Sequence, residues 1–418
     1  MSLALASFST HKTYDKKRRG FMTPLTLSML RAACDEDATD GAIVLDAALE
    51  PVGGHGTPVN PAIYAGGRYQ HDKRWESPEA AESTPVIVID NVPSQANRLE
   101  AALEATADET GVPRLVLNLT GEDFAHLPPH LPRRLSSLRW PHRSGDAYLR
   151  DALLDGSPFA KSPVGRSIID ATADSAGALV AWFPQALLYG FWQSHLGSKR
   201  TRAKHARAWV SEIVGWRPAT EELVTTAAMK GDPFNIIKEV GLAEHDKDDL
   251  IAGWELQEDK SPTEDKKMST IGHGQVITRP QEETLAPVSF RRISQRATLS
   301  FPQLRRVRLG DGFSDEQDAS ARTLLASLGL HAHNIAFGRP FALRSSTDLV
   351  LTDQAARLDS TGITIQSTED LVQEALAAAR SLDVPTEGWG ADPVTLTPNK
   401  SLTAAIRATW PDLDAVEK

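Results

Sequence analysis

PVIVIDNVPSQANRLEAALEAT, from Pro85 to Thr106, joins a β-branched run to an amphipathic segment. The run PVIVID predicts a strand. Pro93 and Ser94 predict the start of a helix, with Ser94 as its N-cap. Apolar residues recur at helical spacing and predict one buried helix face: Leu99, Ala102 and Leu103. This stretch therefore predicts a strand followed directly by a packed helix.

The surrounding sequence extends this pattern. RLVLNL, Arg114 to Leu119, predicts a second buried strand, and strand, helix and strand together favour an α+β or α/β core. AWVSEIVGW, Ala208 to Trp216, is apolar on both alternating faces except at Glu212, which predicts a central strand covered on both sides. Later segments predict two helices, Asp315 to Leu330 and Thr368 to Ser381, and one strand, Phe341 to Leu351. We predict an α+β fold interrupted by long loops.

Composition shifts divide the chain into three predicted segments. Residues 1–84 include the irregular Gly- and Pro-rich stretch Gly53 to Gly67. Residues 85–350 form the core, and residues 351–418 form a C-terminal helical segment and tail. Within the core, residues 246–267 hold eight acidic and four basic residues, which predicts an exposed, mobile insertion.

The overall composition favours a soluble cytoplasmic protein. The chain has 418 residues, a formal net charge of -10 and one cysteine, Cys34, so no intramolecular disulfide can form. At the N-terminus the basic run follows the apolar stretch, which is the reverse of a signal peptide. The longest apolar stretch, Gly177 to Trp192, is too short to span a bilayer. We therefore predict no membrane partner.

Basic residues are segregated from acidic ones. Three tracts are nearly free of acid, namely Lys12 to Arg19, Lys199 to Arg207 and Arg291 to Arg308. Such segregation is expected of a nucleic-acid groove, although a single charge run is more often a solvated loop. In an extended chain, Arg200, Arg202 and Lys204 would point to one side and follow a sugar-phosphate backbone. Five single-strand phosphate contacts would give a salt slope of about -3.5.

A second candidate phosphate site lies in the first turn of the helix after Asp90. Ser94, Gln95, Asn97 and Arg98 place polar donors where free backbone N–H groups already favour an anion. This tract predicts either a phosphate or ribose clamp or a capped helix with ordinary surface amides. Because neither an RRM aromatic signature nor a zinc finger is present, we predict binding that does not read the base sequence.

Few residues suggest catalysis. Asp90 ends a strand and is either a carboxylate catalyst or, more commonly, a polar strand terminus. His331 and His333 lack the additional ligands of a zinc site, and neither HExxH nor GxSxG occurs. We therefore expect no enzymatic activity, no cofactor and no metal.

Four blocks resemble a CRISPR-associated family, the backbone subunit of the type I-G (formerly I-U) Cascade complex, in the Cas-seven branch of the RAMP proteins. They are DNVPSQANRLEAAL, FPQALLYGFWQSHLGSKRTRAKHARAWVSEIVGW, STIGHGQV and ISQRATLSFPQLRRVRLG, and they run in the family's order between about residues 85 and 350. The resemblance implies a modified RRM-like, ferredoxin-like core with extended loops. It also implies copies stacked head to tail along one CRISPR RNA, which stays free to pair with a target DNA strand.

The resemblance implies partners and residue roles. The partners are CRISPR RNA, target DNA, further copies of the chain, the large subunit and the guide-end-binding subunit. RNA-backbone contact is expected first from Arg200, Arg202, Lys204 and Arg207 with Lys199, and then from Ser94, Gln95, Asn97 and Arg98. The remaining candidates for RNA, target-strand or subunit contacts are Lys17, Arg18, Arg19, Arg291 and Arg292. Two alternatives remain, a metal-dependent RNA nuclease using Asp90 and a scaffold that binds only proteins.

Overall fold

The computed structural model describes residues 22–193, 203–220, 228–230, 241–245, 254–257, 276–279 and 285–410. The strands of this part of the chain, in order, are β1 Thr23–Pro24, β2 Ala42–Pro51, β3 Ile63–Tyr64, β4 Arg68–Arg74, β5 Thr84–Asp90, β6 Leu115–Asn118, β7 Arg134–Ser136, β8 Ala152–Leu154, β9 Ser157–Pro158, β10 Phe191–Trp192, β11 Lys204–His205, β12 Trp209–Pro218, β13 Ala228–Lys230, β14 Gly241–His245, β15 Trp254–Gln257, β16 Val276–Arg279, β17 Phe290–Ser300, β18 Phe341–Arg344, β19 Thr347–Leu358, β20 Thr361–Thr364 and β21 Val394–Pro398.

The helices of the same ranges are α1 Leu27–Ala33, α2 Val92–Ala105, α3 Ala107–Thr110, α4 Ala147–Asp151, α5 Pro163–Asp170, α6 Gly177–Trp182, α7 Pro184–Tyr189, α8 Phe301–Leu304, α9 Asp315–Phe337, α10 Thr368–Ser381 and α11 Lys400–Thr409. Short 3-10 turns join several of them. Large sheets and packed helices occur together, so the predicted mixed α+β class is confirmed. None of these described helices is both long and apolar enough to cross a bilayer.

A ten-stranded sheet organises the fold, in the order β1-β20-β19-β2-β17-β12-β5-β4-β3, with β18 paired to β19. Its central ladders are antiparallel, and β2 lies between β17 and β19. The predicted segments 1–84, 85–350 and 351–418 all contribute strands to this sheet. Of the predicted acidic insertion, residues 246–267, only β15 lies within the described residues.

The two strands that flank α2 belong to different sheets. β5 pairs with β12 and β4 in the large sheet, whereas β6 lies in a five-stranded sheet of order β7-β6-β21-β8-β9. In that second sheet β6 pairs in parallel with β21, from the C-terminal part of the chain. The helix α2 therefore connects two sheets and packs against both β12 and α9.

The N-cap prediction for α2 was wrong by three residues. The helix begins at Val92, and the side chain of Asn91 accepts a hydrogen bond of 3.1 Å from the backbone N–H of Ser94. Asn91 is the better cap because its extended backbone precedes Pro93, which occupies the first helical turn. Ser94 lies inside that turn, where its hydroxyl faces Asp90.

Within the described residues, helices cover one face of the large sheet. The helices α1, α2, α7, α9 and α10 share one hydrophobic core with the residues of β12 and β17 that face them. On the opposite face of β12, Val210 is 41% exposed and Glu212 is paired with Arg74. The prediction that β12 is central is confirmed, and the prediction that both of its faces are covered was wrong at Val210, although Val214 on the same face is buried. Charged pairs on the second face take the place of a second apolar layer.

Candidate nucleic-acid interface

A two-strand ladder positions the described part of the predicted basic tract. β10 pairs antiparallel with β11, so Trp192 is opposite Lys204 and Phe191 is opposite His205. The Phe191 and His205 rings stack with centroids 6.0 Å apart, and the Nε2 of buried His205 donates to the Leu187 carbonyl at 3.1 Å. Burial lowers the pKa of His205 below its ordinary value. Phe191 and His205 are buried, and Trp192 and Lys204 lie together on the exposed side of the ladder.

Arg207 is held beside this ladder by a close backbone approach. Gly190 has a φ of +79°, and a Cβ there would lie 2.9 Å from the carbonyl oxygen of His205 and 3.2 Å from Cγ of Arg207. A residue without a side chain is needed at this position. Desolvation, followed by the nearby charge of Arg143, lowers the pKa of the Arg207 guanidinium.

Beneath Arg207 lies a buried ion pair that the sequence did not predict. Arg143 donates from Nε and Nη2 to the two carboxylate oxygens of Glu100, at 2.7 and 2.8 Å. Its Nη1 donates to the Gly190 carbonyl at 3.2 Å. Its guanidinium carbon lies 5.8 Å from the centroid of the Tyr189 ring. Arg143 therefore joins α2 to the glycine against which Arg207 packs.

One groove, with a volume of about 780 Å³, is lined by the residues of the ladder together with Arg143 and Arg207. Its basic side chains are Arg143, Lys204 and Arg207, and no Asp or Glu is among its described lining residues. Trp192, 55% exposed, and Val210 provide exposed apolar surface in the same groove. A groove with cations, an exposed indole and no carboxylate is suited to an anionic ligand that has flat apolar faces.

The predicted clamp on α2 faces Asp90, which is fully buried. Ser94 Oγ and Gln95 Nε2 donate to the Asp90 carboxylate at 2.8 and 2.6 Å. Arg98 Nε donates at 2.9 Å, and Arg344 Nη2, from β18, donates at 2.8 Å. This Asp90 cluster therefore ties α2 and β18 to the end of β5.

Gln95 extends the cluster into the sheet. Its Oε1 accepts from Ser211 Oγ at 3.0 Å and from Gln295 Nε2 at 2.8 Å. Gln95 is fully buried, so it has no surface for an RNA contact in this arrangement, whereas Asn97 is exposed on α2. Arg344 was not predicted either, because it is distant in the chain and lies outside the predicted basic tracts.

The second described basic tract lies at the large sheet. Arg291 and Arg292 are exposed on β17, and the Arg292 guanidinium carbon is 4.6 Å from the centroid of the Trp216 ring. Arg292 borders a second groove of about 620 Å³, on the uncovered sheet face. The described charged residues of this groove carry a slight excess of negative charge, with four acidic and three basic side chains: Asp46, Glu76, Glu212, Asp353, Arg74, Arg292 and Arg296.

Other predicted binding residues lie outside the described ranges, namely Lys17, Arg18, Arg19, Lys199, Arg200 and Arg202. The two helical histidines are internal. His331 hydrogen bonds with the hydroxyls of Thr368 and Thr106, and burial lowers the pKa of His333 to about 4. Within the described ranges, no three His, Cys, Asp or Glu side chains group as metal ligands.

Glu100 gives this site a predicted pH dependence. Burial raises the pKa of Glu100 from 4.5 to about 7, against the opposing charge of Arg143. The folded protein thus keeps this proton to a higher pH than the unfolded chain does. The contribution of this raised pKa to the free energy of unfolding is fully present below about pH 4.5, and it is lost as the pH rises through about 7.

Urea unfolding at pH 5, 6, 7 and 8 would measure this effect against the variant Glu100→Gln, which does not titrate. The free energy of unfolding of the wild type, minus that of the variant, should fall with pH, by at most about 1.4 kcal/mol per unit. Glu122→Gln, at an exposed carboxylate, is the control. A wild-type-minus-Glu100→Gln difference that stays constant over this range would contradict the prediction.

Comparison with known proteins finds a similarity to one family over part of the chain. The family described as CRISPR-associated protein GSU0053 matches residues 43–219, which include the groove and all of the Asp90 cluster except Arg344. None of the curated proteins matches the sequence. Among solved structures, the crystal structure of Thermofilum pendens Csc2 is similar over 87% of this chain and 80% of that chain, at 12% identity and a TM-score of 0.24. Residues 43–219 are therefore similar to a family of CRISPR-associated proteins.

Proposed function

We propose that the chain is a non-catalytic, guide-RNA-binding backbone subunit of a CRISPR effector complex of type I-G. The observation that carries the proposal is the groove of Arg143, Lys204 and Arg207, whose described lining lacks a carboxylate. This groove lies within the residues that match a CRISPR-associated family. In this proposal the sheet and its helices are a modified RRM-like core.

The chemistry of the groove supports contacts with a phosphate backbone. A guide has an arbitrary sequence, so its carrier must hold phosphates without reading bases. Lys204 and Arg207 are exposed cations, whereas the charge of Arg143, behind Arg207, is paired with Glu100. The ladder of β10 and β11 and the close approach at Gly190 hold these cations in fixed positions. Fixed cations allow each copy to hold the strand in the same way.

The rest of the proposal concerns partners. Copies of the chain would polymerise head to tail along the guide in the cytoplasm and present it to a target DNA strand. The large subunit and the guide-end-binding subunit would join this assembly. Roles for Lys17, Arg18, Arg19, Lys199, Arg200, Arg202, Asn97, Arg291 and Arg292 in RNA or subunit contacts remain predictions.

The test is RNA affinity after neutralising the groove cations, with Lys204→Gln and Arg207→Gln combined. Loss of two single-strand phosphate contacts should reduce the magnitude of the salt slope by about 1.4 and weaken binding about tenfold at ~0.15 M salt. Filter binding over a series of salt concentrations measures both quantities.

A matched control removes two exposed cations elsewhere, with Arg339→Gln and Lys400→Gln combined. This variant should keep the wild-type affinity and slope. Equal effects of the two double variants would place the phosphate contacts outside the groove. Purified wild-type protein that carries no RNA and binds none would reject the proposed function itself, and would favour the scaffold that binds only proteins.

A further inference from the structure

Trp192 is a large apolar side chain at a position where the surrounding surface is basic. Its indole is 55% exposed, although its ladder neighbour Phe191 is buried. Val210, 41% exposed, lines the same groove. Exposed aromatic surface next to cations occurs where proteins bind single-stranded nucleic acid, because every base has a flat face that can stack.

The ladder register places the indole beside a cation. Trp192 and Lys204 are direct cross-strand partners, and such partners have Cα atoms about 4.5–5.5 Å apart. Cross-strand partners direct their side chains to the same face of a ladder, so the indole and the Lys204 side chain lie next to each other on one face. Arg207, which follows His205 closely along the chain, lines the same groove. One nucleotide could therefore reach the indole and a cation together.

We propose that Trp192 stacks on an unpaired nucleobase of the bound strand, while Lys204 and Arg207 neutralise the adjacent phosphates. This inference rests on the proposed function and adds to it a stacking residue within the groove. The absence of acidic side chains among the described lining residues favours a nucleotide over a basic peptide. Stacking tolerates any base, so it is compatible with a guide of arbitrary sequence.

The first experiment measures the affinity of the full chain for a single-stranded RNA after Trp192→Leu and Trp192→Phe. The leucine variant should bind about 5- to 100-fold more weakly, and the phenylalanine variant should retain most of the affinity. The salt slope should stay at its wild-type value in both, because no phosphate contact is removed. Trp410→Leu changes another exposed tryptophan, 37% exposed and at the end of α11, and should bind as the wild type does.

A second probe separates stacking from a structural effect of Trp192. An oligonucleotide of the same length whose sugars lack bases still offers phosphates, so wild type and Trp192→Leu should bind it equally. Equal weakening on the intact and the abasic strand would overturn the inference, because the loss would then not involve a base. The inference would also be overturned if Trp192→Leu impaired only the association of copies of the chain, because that would indicate a protein contact.

The outcomes for the inference and for the proposed function are distinguishable. If Trp192→Leu binds intact RNA as tightly as the wild type, while the Lys204→Gln and Arg207→Gln double variant binds weakly, stacking is rejected and the RNA-binding function stands. If the wild type binds neither strand, both are rejected. If Trp192→Leu weakens binding to intact RNA and leaves binding to the abasic strand unchanged, both the stacking inference and the proposed function are supported.

Discussion

Replacing Arg143 by methionine is expected to lower the free energy of unfolding by about 3–5 kcal/mol, because Glu100 is then buried without its partner. The change also removes the hydrogen bond from Arg143 to the Gly190 carbonyl. Urea denaturation at pH 8 measures the loss. At pH 5 the loss should be smaller, because Glu100, with a pKa of about 7 even beside Arg143, is protonated there and a neutral carboxyl is less costly to bury.

The matched control is the double variant Glu100→Gln with Arg143→Met. It has no buried charge at this position and should recover most of the stability lost in Arg143→Met. If the double and single variants are equally unstable at pH 8, the loss comes from packing rather than from an unpaired carboxylate. RNA affinity of the double variant then reports how far Arg143 supports the groove.

The second large effect is expected at Asp90. Asp90→Ala removes the acceptor of Ser94, Gln95, Arg98 and Arg344 and should cost about 3–5 kcal/mol, since two partly buried guanidinium groups lose their carboxylate. Asp90→Asn retains one acceptor oxygen and should cost less. Thermal and urea unfolding measure both variants. Asp311→Asn, at an exposed loop carboxylate, is the control and should change stability by under about 0.5 kcal/mol.

The same pair of variants addresses the nuclease alternative. A catalytic Asp90 would make Asp90→Asn inactive in magnesium-dependent RNA cleavage while its stability stayed close to that of the wild type. A structural Asp90 gives a measurable loss of stability and no change in RNA cleavage. Wild-type stability in Asp90→Ala would contradict the structural role that the cluster of donors around this carboxylate indicates.

Elements defined by local patterns were predictable from the sequence. β5, β6 and α10 lie where the β-branched run, the buried run and the helical periodicity indicate them. Their arrangement was not predictable in this way, because pairing is decided by distant segments. β6 joins β21 rather than β5, and no local property of RLVLNL distinguishes these partners. The exposure on one face of β12 was not predicted, because that face includes Val210 and Trp216, and apolar residues are typical of a buried face.

The site was predictable only in part, for similar physical reasons. Lys204 and Arg207 were expected from the charge of their tract, and they line the groove. The polar residues of α2 were expected at a surface, but Asp90 lies within reach of the first helical turns and Gln95 faces it in the interior. Arg143 follows a proline-rich loop with no periodic pattern. Trp192 ends an apolar run, so its exposure follows from the ladder with β11 rather than from its neighbours.

The position of β2 between β17 and β19 has a consequence for biosynthesis. β2 is synthesised well before its ladder partners, which begin at Phe290 and Thr347. At about 5–20 residues per second, translation takes roughly 15–60 s to supply both. Throughout this interval the apolar segment AIVLDAALEP lacks both of its ladder partners, and we expect it to be prone to aggregation and to need chaperones. Slower translation would lengthen the exposure, and yield during expression should depend on chaperone supply.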